Sequence, residues 1–158
     1  RITEIENCAN QPDIMRMDQL EQEHLLDLCK RFRIALERSS DQTLQFQSFP
    51  NGCCRDTAVL LNEFLKEQGY EDIRYCAKDR DEYSSHAWLE YKGIIIDLTA
   101  DQFGQNYAPV LLKSNSSRDL IHRLDRTQNC GLYIVNGDYF NLCDDQKKIF
   151  QELNSENE

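Results

Sequence analysis

Apolar residues recur at helical spacing in two stretches of the first half of the chain. Between residues 17 and 38, charged positions separate the apolar residues Leu20, Leu25, Leu28, Phe32 and Leu36. This pattern predicts an amphipathic helix that packs on one side. A second helix is predicted from about residue 53 to Gln68, because one of its faces carries Cys54, Ala58, Leu61 and Leu65. Gly69 then stands at the left-handed position that ends many helices.

Short runs of β-branched and aromatic residues predict strands in the second half of the chain. Strands are predicted at residues 73–78, 85–91, 93–99 and 131–135, and further helices at residues 118–126 and 144–153. Helices that precede an antiparallel sheet are typical of the α+β class. With 158 residues and no linker or repeat, the chain is expected to form a single domain over residues 1–158.

The net charge of −10 narrows the range of expected partners. It argues against nucleic-acid backbones and anionic membrane surfaces, because both repel a strongly acidic protein. The longest apolar runs, such as residues 94–96, are far too short to cross a bilayer. The first residues, RITEIENCANQ, carry acids where a secretion signal needs basic and then apolar residues. We therefore expect a cytoplasmic protein that binds neither nucleic acid nor membranes.

The cysteine pattern favours free thiols over a disulfide framework. The chain has an odd number of cysteines, two of them adjacent, at Cys8, Cys29, Cys53, Cys54, Cys76, Cys130 and Cys143. A reduced protein fits this pattern better than a disulfide scaffold does. No Cys-x-x-Cys and no pair of histidines at zinc-site spacing occurs, so neither a metal nor another cofactor is expected.

The adjacent cysteines in "FPNGCCRDTA" stand at the predicted start of the second helix. The free N–H groups and the dipole of a helix N-terminus stabilise a thiolate, which is the nucleophilic form of cysteine. Cys54 belongs to the helix face that meets the rest of the fold, whereas Cys53 is turned about 100° away. Cys54 is therefore the predicted nucleophile.

A nucleophilic thiol needs a base, and the chain has three histidines. His24 lies among charged residues, and His122 lies in the polar stretch "DLIHRLD", so both are predicted to be on the surface. His86 opens a predicted strand, and the next strand carries Asp97 within the apolar run "IIIDL". An acid in such a run is costly to bury without a partner.

The geometry of the hairpin decides whether His86 and Asp97 can meet. If Lys92-Gly93 is a two-residue turn, the two side chains fall on the same face of the sheet as diagonal neighbours. A three-residue loop would place Asp97 on the opposite face. With the even turn, Cys54, His86 and Asp97 can act as nucleophile, base and orienting acid. The alternative is a small core cysteine, a satisfied core histidine and an aspartate in a turn or cap.

Three stretches of the chain also resemble a known family. "GCCRDTAVLLNEFLKEQGY", "HAWLEY" and "IIIDLTADQF", within residues 49–103, are similar to the core of the transglutaminase-like superfamily, a branch of the papain-like cysteine enzymes. Further residues that match its pattern are Gly52, Ala58, Trp88, Glu90 and Thr99. The resemblance implies a papain-like core with the nucleophile helix packed on an antiparallel sheet. It implies the same roles for Cys54, His86 and Asp97.

The residues that would bind substrate are less clear from the sequence. A papain-like oxyanion glutamine would stand six residues before Cys54, where this chain has Ser48; Gln47 is one position off. We expect the oxyanion donors to be backbone N–H groups at the helix start. Cys53, Gln47 and Trp88 are the candidate substrate-binding or oxyanion residues, and Trp88 could equally belong to the core.

These features predict a thiol enzyme that acts on amide or peptide bonds of a protein or peptide through an acyl-thioester. Peptidase, deamidase and amidohydrolase activities all share that intermediate. A transglutaminase or another acyltransferase is the alternative, although no calcium loop is evident and the residues typical of arylamine N-acetyltransferases are missing after Cys54. A non-catalytic binding module is the second alternative.

Overall fold

The structure is a computed structural model that describes residues 4–5, 17–78, 85–123, 128–131 and 140–155. Helices and a sheet both occur in these ranges, so the predicted α+β class is confirmed. The helices are α1 (Gln19–Ser39), α2 (Cys54–Glu67) and α3 (Phe140–Ser155). All three were predicted from the apolar spacing, to within a few residues at each end.

Local sequence explains where α1 begins and where α2 ends. Asp18 caps α1, because its carboxylate accepts a hydrogen bond of 2.8 Å from the backbone N–H of Glu21. Gly69 follows α2 with φ of +95°, a conformation that costs a glycine little. The N–H groups of Gly69 and Tyr70 bond back to carbonyls of the last helical turn, which is the Schellman motif.

Within the described ranges, six strands, numbered in chain order, form one sheet with the spatial order β1-β5-β4-β3-β2-β6. They are β1 (Glu4–Ile5), β2 (Arg74–Lys78), β3 (His86–Tyr91), β4 (Ile94–Asp97), β5 (Leu111–Ser114) and β6 (Gln128–Gly131). Neighbouring strands are antiparallel except β1 and β5, which are parallel. The sequence pattern did not predict β1 or β5.

The helix predicted at residues 118–126 needs correction, and the strand predicted at residues 131–135 lies mostly outside the described residues. The helix predicted at residues 118–126 is, in its described part, only a 3₁₀ turn at Leu120–His122. The strand predicted at residues 131–135 shares Gly131 with β6, and its remaining residues lie outside the described part of the chain. Both stretches are short, and tertiary contacts outweigh local propensity in such segments.

The hairpin between β3 and β4 has the predicted register. Lys92 and Gly93 form a two-residue turn with φ of +47° and +78°, as a type I′ turn requires. Tyr91 pairs with Ile94, Glu90 with Ile95 and Leu89 with Ile96. This register fixes which side chains of the two strands share a face.

The helices cover one face of the sheet, and α2 packs against β3. Phe32, Phe64 and Phe150 join the three helices, with ring centroids 5.4 to 6.5 Å apart. Trp88 and Ile95 belong to a smaller buried cluster elsewhere on the sheet. The N-terminus of α2 lies beside the start of β3, because Cys54 and His86 line one cavity. None of the helices in the described ranges is both long and apolar enough to cross a lipid bilayer.

One cysteine departs from the expectation of a reduced protein. Cys76 on β2 is disulfide-bonded, and the backbone register places Cys130 of β6 opposite it. The expectation that the cysteines are reduced is therefore wrong for Cys76. Among the described side chains, Cys29, Cys53, Cys54 and Cys143 are not disulfide-bonded.

Candidate active site

The two adjacent cysteines occupy different environments. Cys54 is the first residue of α2, and its half-buried side chain lines a cavity of about 360 Å³. The cavity, called the thiol cavity below, is lined by Gly52, Cys54, Arg55, Asp56, Tyr75, Ala77, Lys78, Ser85, His86 and Ala87. Cys53 is the N-cap residue of α2 and is only 2% exposed. The helical phase thus places the Cys54 thiol, and not the Cys53 thiol, at the cavity.

The Cys53 thiol is held as a neutral group in the interior. It donates to the carbonyl oxygens of Gln45 and Asn51 at 3.3 and 3.2 Å. Burial, with a smaller effect of the Asp56 charge, raises the pKa of Cys53 to about 11. Its side chain therefore has neither the exposure nor the ionisation that a nucleophile or a substrate contact needs.

His86 and Asp97 meet as the hairpin register predicts. His86 Nε2 lies 2.6 Å from Asp97 Oδ2, and each residue is 2% exposed. An ionised carboxylate can only accept, so Nε2 must carry the ring proton and donate it. The other nitrogen, Nδ1, has no hydrogen-bond partner among the described residues, so it is the nitrogen that can exchange a proton with a neighbouring group.

Charge interactions within the site favour an ion pair. Burial lowers the pKa of His86, but the charge and hydrogen bond of Asp97, with a smaller contribution from Cys54, raise it to about 9. Burial opposes the ionisation of Asp97, but the His86 charge and the hydrogen bonds of two histidines hold its pKa well below the usual range. The Cys54 thiol, the His86 imidazole and the Asp97 carboxylate therefore interact in series.

A second histidine, His122, bonds to the same aspartate. His122 Nε2 lies 2.7 Å from Asp97 Oδ2, and the residue is 0% exposed, so the prediction of a surface position is wrong. The polar neighbours of His122 suggested a surface helix, but the stretch forms a single 3₁₀ turn that directs this side chain inward. The one sequence clue was Asp97 itself, because a buried carboxylate has room for more donors than His86 supplies.

The second oxygen of Asp97 is also occupied. Asp97 Oδ1 accepts from the backbone N–H of Thr99 at 2.8 Å and from its hydroxyl at 3.3 Å. The carboxylate therefore has donors on both oxygens and cannot rotate without breaking hydrogen bonds. His24, the third histidine, is exposed as predicted, and its Nδ1 lies 2.8 Å from the Tyr70 hydroxyl.

The remaining candidate binding residues lie away from the thiol cavity. Trp88 is 1% exposed and stacks on the His86 ring at 5.6 Å, so it supports the imidazole from within the core. Gln47 is exposed and donates to the Thr43 carbonyl. Sequence reasoning missed Gln102, whose Oε1 accepts from the backbone N–H of Gly52 at 3.3 Å. This bond ties the turn before α2 to the segment that follows Asp97.

His86, Asp97 and His122 also have the composition of a metal site, since three potential ligand atoms lie within 4.8 Å of one another. The hydrogen bonds of these three residues, however, differ from those of a metal site. A metal-binding histidine normally donates its second ring N–H to an oxygen, which fixes the ring. Here Nδ1 of both histidines lacks a partner among the described residues, and both Nε2 atoms point at one carboxylate oxygen. The cluster fits two N–H donors on a carboxylate.

No protein-family model, curated protein or solved structure matches this chain. The family therefore stays a prediction. The resemblance of the three stretches to the transglutaminase-like superfamily has no independent support, so the geometry of the site must carry any functional argument.

The raised pKa of His86 predicts a dependence of stability on pH. Since the folded state holds the His86 proton up to pH about 9 and the unfolded chain only up to about 6.5, stability should fall between these values. The loss amounts to about 3 kcal/mol in the free energy of unfolding and is complete above pH 9. Urea titrations at pH 6 and pH 10 measure it.

His86→Gln should lose most of this pH-dependent difference, because glutamine does not titrate. His24→Gln, which removes an exposed histidine, is the matched control and should retain it. Equal pH dependence in wild-type and His86→Gln protein would contradict the assigned pKa of His86.

Proposed function

We propose that this protein is a cysteine-dependent enzyme that acts on amide or peptide bonds of a protein or peptide substrate. The supporting observation is the arrangement of Cys54, His86 and Asp97. Cys54, at a helix N-terminus, and His86 line the same cavity, and the Nδ1 atom of His86 makes no hydrogen bond within the described residues. Asp97 fixes the opposite nitrogen of that ring at 2.6 Å. A nucleophile, a base and an orienting acid in this order are the components of a catalytic triad.

The proposed reaction has two steps. The thiol proton is first transferred to His86 Nδ1, which the raised pKa of this ring favours, and the Cys54 sulfur then attacks the carbonyl carbon as a thiolate. Asp97 stabilises the resulting imidazolium through Nε2. The carbon–nitrogen bond then breaks, and the leaving amine takes the proton from Nδ1, which leaves an acyl-thioester on Cys54. In the second step, water gives a proton to Nδ1 and adds to the thioester, and the acid leaves as the thiol is restored.

The start of α2 suits the negative charge that develops on the substrate oxygen. The first N–H groups of a helix have no partner within the helix, and their dipole favours an anion. The side chain of Cys53 makes no capping hydrogen bond to these groups. We infer that backbone N–H groups at Cys54 and its neighbours donate to the oxyanion, which is the role that oxyanion holes have in acyl transfer.

We assign the core to the papain-like, transglutaminase-like class on the basis of the three stretches within residues 49–103. The helix that carries Cys54 packs on the strand that begins with His86, and the paired strand ends with Asp97. An α+β arrangement of this kind is compatible with that class. The same acyl-thioester could pass its acyl group to an amine instead of water, so transferase activity remains the alternative within the same mechanism.

A hydroxylamine trap tests the proposed mechanism before any substrate is identified. The protein is incubated with hydroxylamine and a peptide mixture from a whole-cell digest. Hydroxylamine attacks the thioester, its nitrogen bonds to the acyl carbon as the carbon–sulfur bond breaks, and a hydroxamate results. Mass spectrometry should detect hydroxamates with the wild-type protein and none with Cys54→Ala. If hydroxylamine is replaced with a primary alkylamine, an alkylamide product indicates acyl transfer and a free acid indicates hydrolysis.

The His86–Asp97–His122 cluster makes a metal-dependent hydrolase the competing function, because a metal-activated water would need no thiol. Such an enzyme forms no acyl-thioester and stops when a chelator is added. Amide hydrolysis that persists in Cys54→Ala and disappears with a chelator would overturn our proposal. The absence of any hydroxamate, together with uniformly slow alkylation of all thiols by iodoacetamide, would favour a non-catalytic binding module.

A further inference from the structure

His122 occupies a position that the proposed chemistry does not yet explain. Its Nε2 donates to the same Asp97 oxygen that accepts from His86, at 2.7 and 2.6 Å respectively. On the basis of the thiol-enzyme function proposed above, we propose that His122 is a positioning residue. It holds the Asp97 carboxylate so that Asp97 presents a fixed oxygen to His86 Nε2.

Packing alone does not account for a histidine at residue 122. Because Nε2 must donate to a carboxylate, Nδ1 of this ring is an acceptor, and it is buried without a partner among the described residues. Burying such a polar atom without a hydrogen bond is unfavourable, and an apolar side chain of the same size would avoid that cost. The residue is 0% exposed, so water cannot supply the missing bond without entering the core.

Two ion pairs anchor the segment that leads to His122. The guanidinium of Arg118 makes two hydrogen bonds of 2.8 Å to the Glu90 carboxylate and a third, of 3.1 Å, to the backbone oxygen of His122. Lys113 Nζ also lies 3.0 Å from Asp119 Oδ2. Glu90 is only 6% exposed, so its ion pair with Arg118 is a buried one with fixed geometry. These contacts hold the 3₁₀ turn against β3, the strand that begins with His86.

Two N–H donors on one oxygen restrict the orientation of the Asp97 carboxylate more than a single donor does. With the Thr99 hydrogen bonds on Oδ1, the two histidines leave Asp97 a single orientation. Trp88 also limits the movement of both rings, since it stacks on His86 and meets His122 edge-on at 5.0 Å. Without the His122 donor, His86 alone holds Oδ2, so the Asp97 carboxylate is less constrained and the orientation of His86 toward Cys54 is less fixed.

The test compares His122→Gln with His122→Asn. The glutamine amide reaches the position of His Nε2 and keeps a donor for Asp97, whereas the asparagine amide is one bond shorter and does not reach it. We measure the rate at which iodoacetamide alkylates Cys54 at pH 7. We expect His122→Asn to lower it about 10- to 100-fold, as is typical when a partner that orients a functional group is removed, and His122→Gln to restore most of the rate. His122→Leu, which keeps the volume but has no donor, should be as slow as His122→Asn.

A second readout is independent of reactivity. The proton that His86 donates to Asp97 should give a low-field NMR resonance, which shifts or broadens in His122→Asn and stays near the wild-type position in His122→Gln. Equal alkylation rates and unchanged resonances in both variants would overturn the positioning role, even if Cys54 reacts rapidly in the wild-type protein. Slow alkylation of Cys54 in the wild-type protein, with the resonance still shifted by His122→Asn, would instead overturn the proposed enzyme function and leave the His122 contact standing.

Discussion

Cys54→Ala should abolish hydroxamate formation and the rapid alkylation by iodoacetamide, whereas Cys53→Ala should retain most of both. The two thiols are adjacent, yet only Cys54 lines the thiol cavity with His86. The Cys53 thiol points into the core and is protonated at neutral pH, because burial raises its pKa to about 11. Mass spectrometry of tryptic peptides after a short iodoacetamide pulse identifies which thiol reacts.

Cys53→Ala is also the control for this comparison, because it makes the same substitution one residue away. We expect it to lower the free energy of unfolding by about 1 kcal/mol, a typical cost for a single buried replacement, and to leave the protein folded. If Cys53→Ala removed the fast labelling and Cys54→Ala did not, the assignment of the nucleophile would be wrong. The helical phase on which it depends would then be wrong as well.

The parts of the site that could be predicted depend on local geometry. The Lys92-Gly93 turn fixed the register of β3 and β4, and from that register followed the contact between His86 and Asp97. The choice of Cys54 over Cys53 followed from the helical repeat. Each of these inferences uses residues that are close in sequence, where one turn or one helix determines the geometry.

The parts that could not be predicted depend on contacts between distant segments. His122 reaches Asp97 only because Arg118 pairs with Glu90, 28 residues earlier in the chain. The local stretch around His122 is polar and gave the opposite prediction. The disulfide at Cys76 depends in the same way on the pairing of β2 with β6. No local pattern of apolar and polar residues specifies which distant segments will meet.

Asp101 is the acid next along the chain after Asp97, and its contacts with Arg33 exclude it as the acid that orients His86. Both of its oxygens lie 2.8 Å from the guanidinium nitrogens of Arg33, which is only 8% exposed. Arg33 also donates to the backbone oxygens of Leu98 and Pro109. Asp101 thus anchors the segment after β4 to α1 and leaves Asp97 as the acid at His86.

Asp97→Asn should leave the fold intact but lower turnover by about four orders of magnitude, as the equivalent change does in serine-protease triads. The asparagine oxygen can serve the Thr99 donors only if its NH₂ group faces the two histidines. His86 must then accept at Nε2 and carry its proton on Nδ1. A protonated Nδ1 cannot take the proton of the Cys54 thiol, so the base is lost although every heavy atom stays in place.

The rate of hydroxamate formation measures this loss, and Asp101→Asn is the matched control. That substitution removes a carboxylate four residues away and weakens the pairing with Arg33, so it should lower stability but not the turnover of the folded protein. Circular dichroism establishes that each variant is folded before rates are compared. Near-normal turnover in Asp97→Asn would show that His86 does not depend on Asp97 for its tautomer, and the triad assignment would then have to be abandoned.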